Sequence, residues 1–388
     1  MKCLFVHDLR SYYYKNEEYT TNFSYEIIQK RYLCHFEEFR ILNRTKRVDK
    51  PLQGKYVKSN GPSVSFVNEI DMFSGVDFFI NKRNYSKTVA KEVEKADFVI
   101  IRLDSFLGLM AVKYCEKYSK KYLIEVAGCV WDSFWNKGVL GKGLAPTLLY
   151  FMRKSIKNAP YVVYVTTKFL QNRYPTQGKS ISCSNVMLDQ CDYESILHKR
   201  LDHINSKKES TTVSIATVGA VDVPYKNQEA VIKALGILKK NNKNRFIYNV
   251  IGGGNNERLK KISERCGVSE SVVFYGSIDH SQIFNILDEI DIYIQPSKQE
   301  GLPRSLIEAM SRGCTCYGSR VAGIPELLQP EFIFSISKSP EEIAKLLESY
   351  NINLATVQAE RNVIESKKYS SEILEKRRFD FIESSISG

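Results

Sequence analysis

The chain has 388 residues, 43% hydrophobic and 26% charged. That length suggests two domains, and the composition excludes a mainly disordered, collagen-like or disulfide-scaffold protein. The net charge is +12, and all of the excess lies in residues 1–200, because basic and acidic residues balance over 201–388.

A one-sided basic field suits a polyanionic partner (nucleic acid, an anionic membrane surface or a phosphorylated substrate) or serves only as a solubilising surface. The best apolar run, Leu144 to Met152, is far short of the ~20 residues that span a bilayer. The opening MKCLFVHD lacks the long apolar region of a signal peptide, so the expected location is the cytoplasm. Nine cysteines are scattered without metal-ligand spacing and read as free thiols. Cys314 and Cys316 read as small core residues of one strand. The five histidines form no HxxxH or HExxH pattern, so no metal site is expected.

In chain order, strands are expected at 2–6, 39–43, 97–103, 122–128, 161–167 and 179–185. Helices are expected at Phe23 to Tyr32, Tyr85 to Lys95, Gly108 to Lys117 and Leu144 to Lys157. Residues 187–211 are polar, with no clear strand, and 191–211 reads as a linker between domains at 1–190 and 212–365. The second half alternates strictly. Strands fall at 212–217, 245–251, 272–276, 291–297 and 315–319, with helices at Asn227 to Lys240, Glu257 to Cys266, His280 to Ile290 and Leu302 to Arg312. Gly267 and Gly313 stand where helix ends need them. The tail from Ile352 to Glu383 is helical, and its last part, about 366–388, is expected to return to the first domain. Apolar strands alternating with helices mean parallel sheets covered on both faces. Such sheets bind ligands at the carboxyl ends of their strands, and two such edges facing a cleft suit a two-substrate enzyme.

The strongest motif is PSKQEGLPRSLIEAMSRG, from Pro296 to Gly313. Glu300 follows a strand, Gly301 allows a tight turn, and Pro303 opens a helix that carries Glu308. A helix N-terminus offers unpaired N–H groups and partial positive charge to a phosphate or a hydroxyl-rich ligand. Two carboxylates eight positions apart suit two hydroxyl groups of one two-part sugar ligand. The ordinary alternative is an exposed loop glutamate and a locally paired one.

This segment resembles the E-x7-E motif of retaining family 4 glycosyltransferases, which have the GT-B fold of two Rossmann-like domains. TVGAVDVPYKNQEAVIKAL (217–235), VIGGGNNERLKK (250–261), the run 272–297 and GSRVAGIPELL (318–328) resemble the family's donor-side segments in combination. The resemblance implies that Glu300 sits against the donor hexose, Glu308 holds the ribose and Lys226 meets the diphosphate. Gly219, Gly253, Ser297, Gly301, Leu302 and Arg304 would complete the donor site. Glu300 and Lys226 would act in catalysis. The family has an arginine after the glycine matching Gly219, whereas this chain has Ala220. Arg304 is the candidate to supply the missing charge. The resemblance also implies a UDP- or GDP-linked sugar as co-substrate, no further cofactor and no metal. It implies a saccharide or polyprenyl-diphosphate-linked acceptor in the assembly of a bacterial surface polysaccharide.

The first domain should hold the acceptor, but it matches the family less distinctly. Its first strand is followed by HDLRSYYYKNEEYTTNFSYEI rather than a glycine-rich loop, and no histidine stands near the end of the 122–128 strand. Arg102 and Asp104 end one strand. Trp131 and Asp132, after the next, combine an aromatic ring with a carboxylate as sugar platforms do, or else belong to the core. Residues 141–158 combine Leu, Tyr, Phe and Met with Lys142, Arg153, Lys154 and Lys157. They read either as a core helix with a wet basic edge or as a helix resting on the inner face of an anionic membrane. The alternatives to a transferase are a nucleotide-sugar epimerase or hydrolase on the same scaffold, or a sugar- or nucleotide-binding protein that has lost activity, which Ala220 favours. No nucleic-acid-binding module is recognisable.

Overall fold

The computed structural model describes residues 1–50, 52, 56–72, 75–136, 138–189, 191–208 and 211–388, with the side chains of 75–79 excepted. The chain divides into two compact units, Met1–Cys183 with Glu375–Gly388, and Ser184–Leu374.

The first unit carries β1 (Lys2–Tyr14), β2 (Glu17–Thr20), β3 (Glu38–Arg47), β4 (Val57–Lys58), β5 (Val64–Val67), β6 (Phe98–Arg102), β7 (Lys121–Val126), β8 (Tyr161–Tyr164) and β9 (Lys179–Ser182). The parallel ladder runs β5-β3-β1-β6-β7-β8-β9. The strands read as Val/Ile/Leu-rich runs because both faces are covered; Phe5, Ile41, Ile100 and Leu123 are fully buried. The segment after residue 6, for which the sequence predicts no element, is a strand extension. After a bulge between Val6 and Arg10, β1 continues along β3 and turns back antiparallel into β2. Lys15 and Asn16 have φ of 47° and 64°, the pair of left-handed residues that a two-residue hairpin turn requires. The helix expected at Phe23 to Tyr32 is a short α turn, Tyr25–Ile28, that widens into a π turn over Gln29–Leu33.

The second unit carries β10 (Val213–Val218), β11 (Phe246–Ile251), β12 (Val272–Gly276), β13 (Ile292–Gln295), β14 (Thr315–Ser319) and β15 (Ile333–Phe334). All are parallel, in the order β12-β11-β10-β13-β14-β15. This is the doubly wound order whose direction reverses between β10 and β13, so the loops leaving those two strands diverge and open a crevice at their carboxyl ends.

One expectation needs correction. The stretch 191–211 contains a helix, Tyr193–Asn205, that belongs to the second unit; of this stretch, 209–210 lie outside the described residues. Ile196 and Ile204 are buried, and Ile204 packs on Ala355 and Ala359. Arg200, which makes the segment look solvated, is itself buried and donates to the carbonyls of Leu287, Ile290 and Arg312 at 2.7 Å each. The tail is two helices, Ile352–Ser366 and Ser371–Ser387, separated by a tight turn at Lys367–Tyr369. The second of them packs on the first unit. Glu375 pairs with Arg31 at 3.1 Å, Glu383 pairs with His35, and Phe381 meets Tyr161 edge to face.

Candidate functional site

The loops that leave β10 and β13 are stitched together. Pro224–Lys226 form one tight helical turn, and Asn227 follows in the left-handed conformation with φ 57°. The buried Asn227 amide donates to the Pro296 carbonyl at 3.1 Å, and the Lys298 N–H donates to the Tyr225 carbonyl at 2.7 Å. These two bonds put the Lys226 ammonium 2.7 Å from Glu300 Oε1. Gln295, at the end of β13, donates to the same Glu300 oxygen at 2.9 Å and to Ser297 Oγ at 2.9 Å. Behind it, Tyr293 donates to Gln295 Oε1 at 2.9 Å and bonds Ser305 at 2.8 Å. Glu300 is therefore oriented by a buried polar chain that starts inside the sheet. Both bonds fall on Oε1, so neither occupies Oε2.

The helix expected at Leu302 to Arg312 spans Arg304–Ser311, with Pro303 at its N-cap and no side chain capping it. Leu302 is buried and Arg304 is exposed. Ser297 is fully buried and its carbonyl accepts from Ser319 at 2.6 Å, while the Gly301 carbonyl accepts from the Gly323 N–H at 2.9 Å. Glu308, on the same helix, is 8% exposed and accepts from His280 Nε2 at 3.0 Å. That hydrogen bond raises the His280 pKa above the ordinary histidine value against burial, which opposes the rise; the charge of Glu308 adds a smaller push upward, and Arg304 and Asp189 act in opposite directions.

The glycine loops make close approach possible. Gly252 has φ 155°, and a Cβ there would lie 2.1 Å from the Gly219 carbonyl oxygen. Gly219 itself lies against the Lys226 side chain, where a Cβ would sit 3.4 Å from its carbons. Gly253 faces Ser277. Gln228, buried at the start of the next helix, donates to the Ala220 carbonyl at 3.0 Å and fixes this loop from below. Ala220 is exposed.

Gly219, Lys226, Ser297, Glu300, Gly301, Arg304 and Glu308 thus gather at the carboxyl ends of β10 and β13. Sequence reasoning missed Gln295 and His280. Gln295 had a local mark, standing five residues before Glu300, but His280 is 28 residues from Glu308 and no spacing rule joins them.

On the first unit, the corresponding strand ends bring together different groups. Arg102 does not project freely. Its guanidinium donates to Glu125 Oε2 at 2.7 and 3.1 Å and lies 5.3 Å from the Phe5 ring centroid. Glu125 also accepts from Tyr32 at 3.0 Å, with Arg378 at 3.7 Å. Arg102 is consequently a strut of the first unit, because its register partner on β7 is Glu125. Asp104 pairs with His7 at 3.3 Å. Burial opposes its ionisation, but His7 and Arg102 outweigh burial and hold its carboxyl below the usual range. The sequence offered no histidine on the 122–128 strand; at these strand ends His7 stands at the bulge of β1, just past the stretch that pairs with β6. Trp131 stacks on Trp135 at 4.8 Å, and Asp132 beside it is half-buried. Among the described residues, no group of three or more His, Cys, Asp or Glu side chains is placed to hold a metal ion.

Residues 199–364 match the family described as "Glycosyl transferases group 1". The chain is 32% identical over 374 residues to "Protein CapJ" of Staphylococcus aureus, covering 95% of this chain and 90% of that protein. Among solved structures, sucrose-phosphate synthase from Thermosynechococcus elongatus superposes with a TM-score of 0.70 at 13% identity, covering 100% of this chain and 99% of that one. Anabaena Alr3699/HepE in complex with UDP-glucose gives 0.67 at 13% identity, covering 99% and 100%. The chain is therefore a group 1 glycosyltransferase of the GT-B fold, a member of the retaining, metal-independent family 4.

Proposed function

We propose that the second unit binds a nucleoside-diphosphate hexose and that the enzyme transfers the hexose, with retention, to a saccharide or lipid-linked saccharide in capsule polysaccharide assembly. The observation that carries the donor reading is the meeting of Lys226, Glu300 and the uncapped helix start at the switch point of the sheet. The UDP-glucose in the structural neighbour HepE supports the donor class, and the name of the relative CapJ supports the capsule setting.

In this reading Glu300 Oε2 accepts from hexose hydroxyls and Glu308 accepts from the ribose. Lys226 and Arg304, with the N–H groups at the helix start, stabilise the charge that develops on the departing diphosphate. The acceptor oxygen bonds to the anomeric carbon on the face from which the phosphate oxygen leaves. The acceptor proton passes to that phosphate oxygen, and the nucleoside diphosphate is released. No protein base is required, and orientation by Glu300 supplies the entropic part of the acceleration. The saccharide acceptor is assigned to the first unit's strand ends, beside His7, Asp104, Trp131 and Asp132.

A panel of UDP, GDP and their hexose conjugates in a thermal-shift assay tests the donor site. Stabilisation by one nucleotide class, lost in Glu308→Ala, is the expected result. No shift with any of them overturns the donor assignment and favours a binding protein that has lost activity, the reading to which the uncharged Ala220 points.

A further inference from the structure

β1 runs on past the carboxyl edge of the first sheet. β6 pairs with it only as far as Val6, whereas β3 stays beside it to the pair Tyr13 and Arg47. At about 3.3 Å per residue this extension reaches about 20 Å beyond the edge. β2 and β4 join it, which makes a four-stranded ribbon. Its base is anchored beside the His7–Asp104 pair, where Asp8 accepts from the Phe106 and Leu107 N–H groups at 2.9 and 3.1 Å. One face of the ribbon is a buried polar layer. There Ser11 bonds Thr45 at 3.0 Å and Asn43 donates to Ser11 at 2.8 Å, with Glu18 and Thr20 buried on the same side.

The other face carries tyrosines between cations. Register sets Lys46, Tyr12, Tyr19 and Lys58 side by side across β3, β1, β2 and β4. With strands about 4.8 Å apart, the two lysines stand about 14 Å apart at the ends of this row. Tyr14 follows on the same face, and Tyr56 meets Tyr12 edge to face at 5.1 Å. Arg10 precedes, in register beside Arg44. Such like charges side by side cost stability, which an anion between them would offset. Arg10, Lys46 and Lys58 are exposed and the tyrosines half-buried. Glu17, a carboxylate on this face, is taken by Lys58 and Tyr19. Arg10 and Lys46 have no ion-pair partner among the described residues. Half-buried tyrosines with polar tips suit sugar rings, and free cations suit carboxylates. The cations are spaced along the face rather than converged, so they match charges repeated along a chain better than one diphosphate. A single-stranded nucleic acid stacks its bases on open ring faces, whereas Tyr12 is packed with Tyr56 and Tyr19 is tied to Glu17.

We propose that the tyrosine face of the β1–β2 ribbon binds the acceptor, and that the acceptor is an acidic oligosaccharide, one whose sugar rings carry carboxylates. This rests on the saccharide acceptor assigned above to the first unit's strand ends and names its chemical class. The sugar rings lie on Tyr12, Tyr14 and Tyr19, and the carboxylates meet Arg10 and Lys46.

The test is calorimetric titration of the full chain with tetragalacturonate, and with maltotetraose as the neutral probe, at about 0.15 M salt. Tetragalacturonate should bind at least about tenfold more tightly than maltotetraose. The double variant Arg10→Ala, Lys46→Ala should weaken it about tenfold, with an unchanged melting temperature because both side chains are already in water. Lys154→Ala, Lys157→Ala removes equal charge elsewhere on the first unit and should bind as the wild type does. Tyr12→Ala should weaken binding, and Tyr12→Phe, which keeps the ring, should recover most of it. The proposal is overturned if tetragalacturonate does not bind, or if the two lysine-free and arginine-free double variants weaken it equally. It is also overturned if pyrophosphate or an eight-nucleotide oligothymidylate displaces tetragalacturonate and depends in the same way on Arg10 and Lys46, since a lipid-linker diphosphate or a nucleic acid would then be the occupant. If maltotetraose binds equally well, the acidic class falls while the saccharide acceptor stands. Failure of the donor reading shows separately, as the absence of a thermal shift with every nucleotide.

Discussion

Replacing Glu308 by alanine separates binding from folding at the proposed donor site. The carboxylate is 8% exposed, and it accepts one hydrogen bond, from a His280 ring that is 62% exposed. In the free protein this is a pair with one wet member, and such pairs contribute about 1 kcal/mol or less. Losing it should lower the melting temperature by no more than about 4 °C. With a nucleotide bound, Glu308 would accept from ribose hydroxyls in a nearly dry position. A hydrogen bond to a charged group there contributes about 1.5–3 kcal/mol, which converts to an affinity loss of about 10- to 150-fold. Glu308→Gln keeps the shape and one acceptor oxygen and should fall between the wild type and the alanine variant. Isothermal titration with the nucleoside diphosphate that stabilises the wild type reads the affinities, and a melting curve without ligand reads the stability. If Glu308→Ala binds that nucleotide within about twofold of wild type, the ribose role is wrong.

Lys226→Met should leave nucleotide affinity within about tenfold and lower kcat by about 10²- to 10³-fold, since it removes the charge proposed to meet the leaving phosphate; release of nucleoside diphosphate over time measures it. Nucleotide affinity should also depend on pH through His280, which faces Glu308, Arg304 and Asp189. Its raised pKa means that the pair with Glu308 is complete below the ordinary histidine value and is lost as pH rises through the raised one. Affinity should therefore increase over that interval, and His280→Gln should flatten a titration series across it. In the first unit, Glu125→Gln removes the charge that pairs Arg102 and sits near Arg378, and should cost about 3–5 kcal/mol in urea unfolding because buried cations are left uncompensated. Burial opposes ionisation of Glu125, but Arg102 and Arg378 outweigh it and depress its pKa. Its stabilisation is thus present above the ordinary carboxylate value and is lost as pH falls through the depressed one, which an acid-unfolding curve of wild type against variant would show.

The second unit was legible because its inner strands are buried and strongly apolar, although the edge strand β12 exposes Val273 and Tyr275. β10 to β14 and the helices between them fall within a few residues of their expected places. The first unit was less so, for identifiable reasons. The β1–β2 hairpin is written in Tyr, Arg, Lys and Glu, with no alternation strong enough to mark a strand, and its turn uses Lys15 and Asn16 rather than glycine. The helix Tyr193–Asn205 was hidden by its charges, and the one that misled most, Arg200, is buried among carbonyl oxygens at helix ends. Arg102 looked like a site residue because it ends a strand. Its partner became visible only with the sheet register, which sets it beside Glu125.

The same limit explains what the sequence showed of the proposed donor site. Glu300 and Glu308 share a short segment, so the chain itself fixes their spacing, and a motif can record it. Apart from Gln295, the groups that hold them come from elsewhere: Lys226 from the loop after β10 and His280 from the helix after β12. Each carboxylate already has a hydrogen-bonding nitrogen within 3.0 Å before any ligand arrives. A buried carboxylate without such a partner would be costly to keep ionised, so these contacts let the chain store two acceptors in a half-dry crevice. At Glu300 the partner is the cation that the leaving phosphate would also need. On the donor reading proposed above, binding is an exchange of partners for Lys226, from carboxylate to diphosphate, rather than the filling of an empty charge.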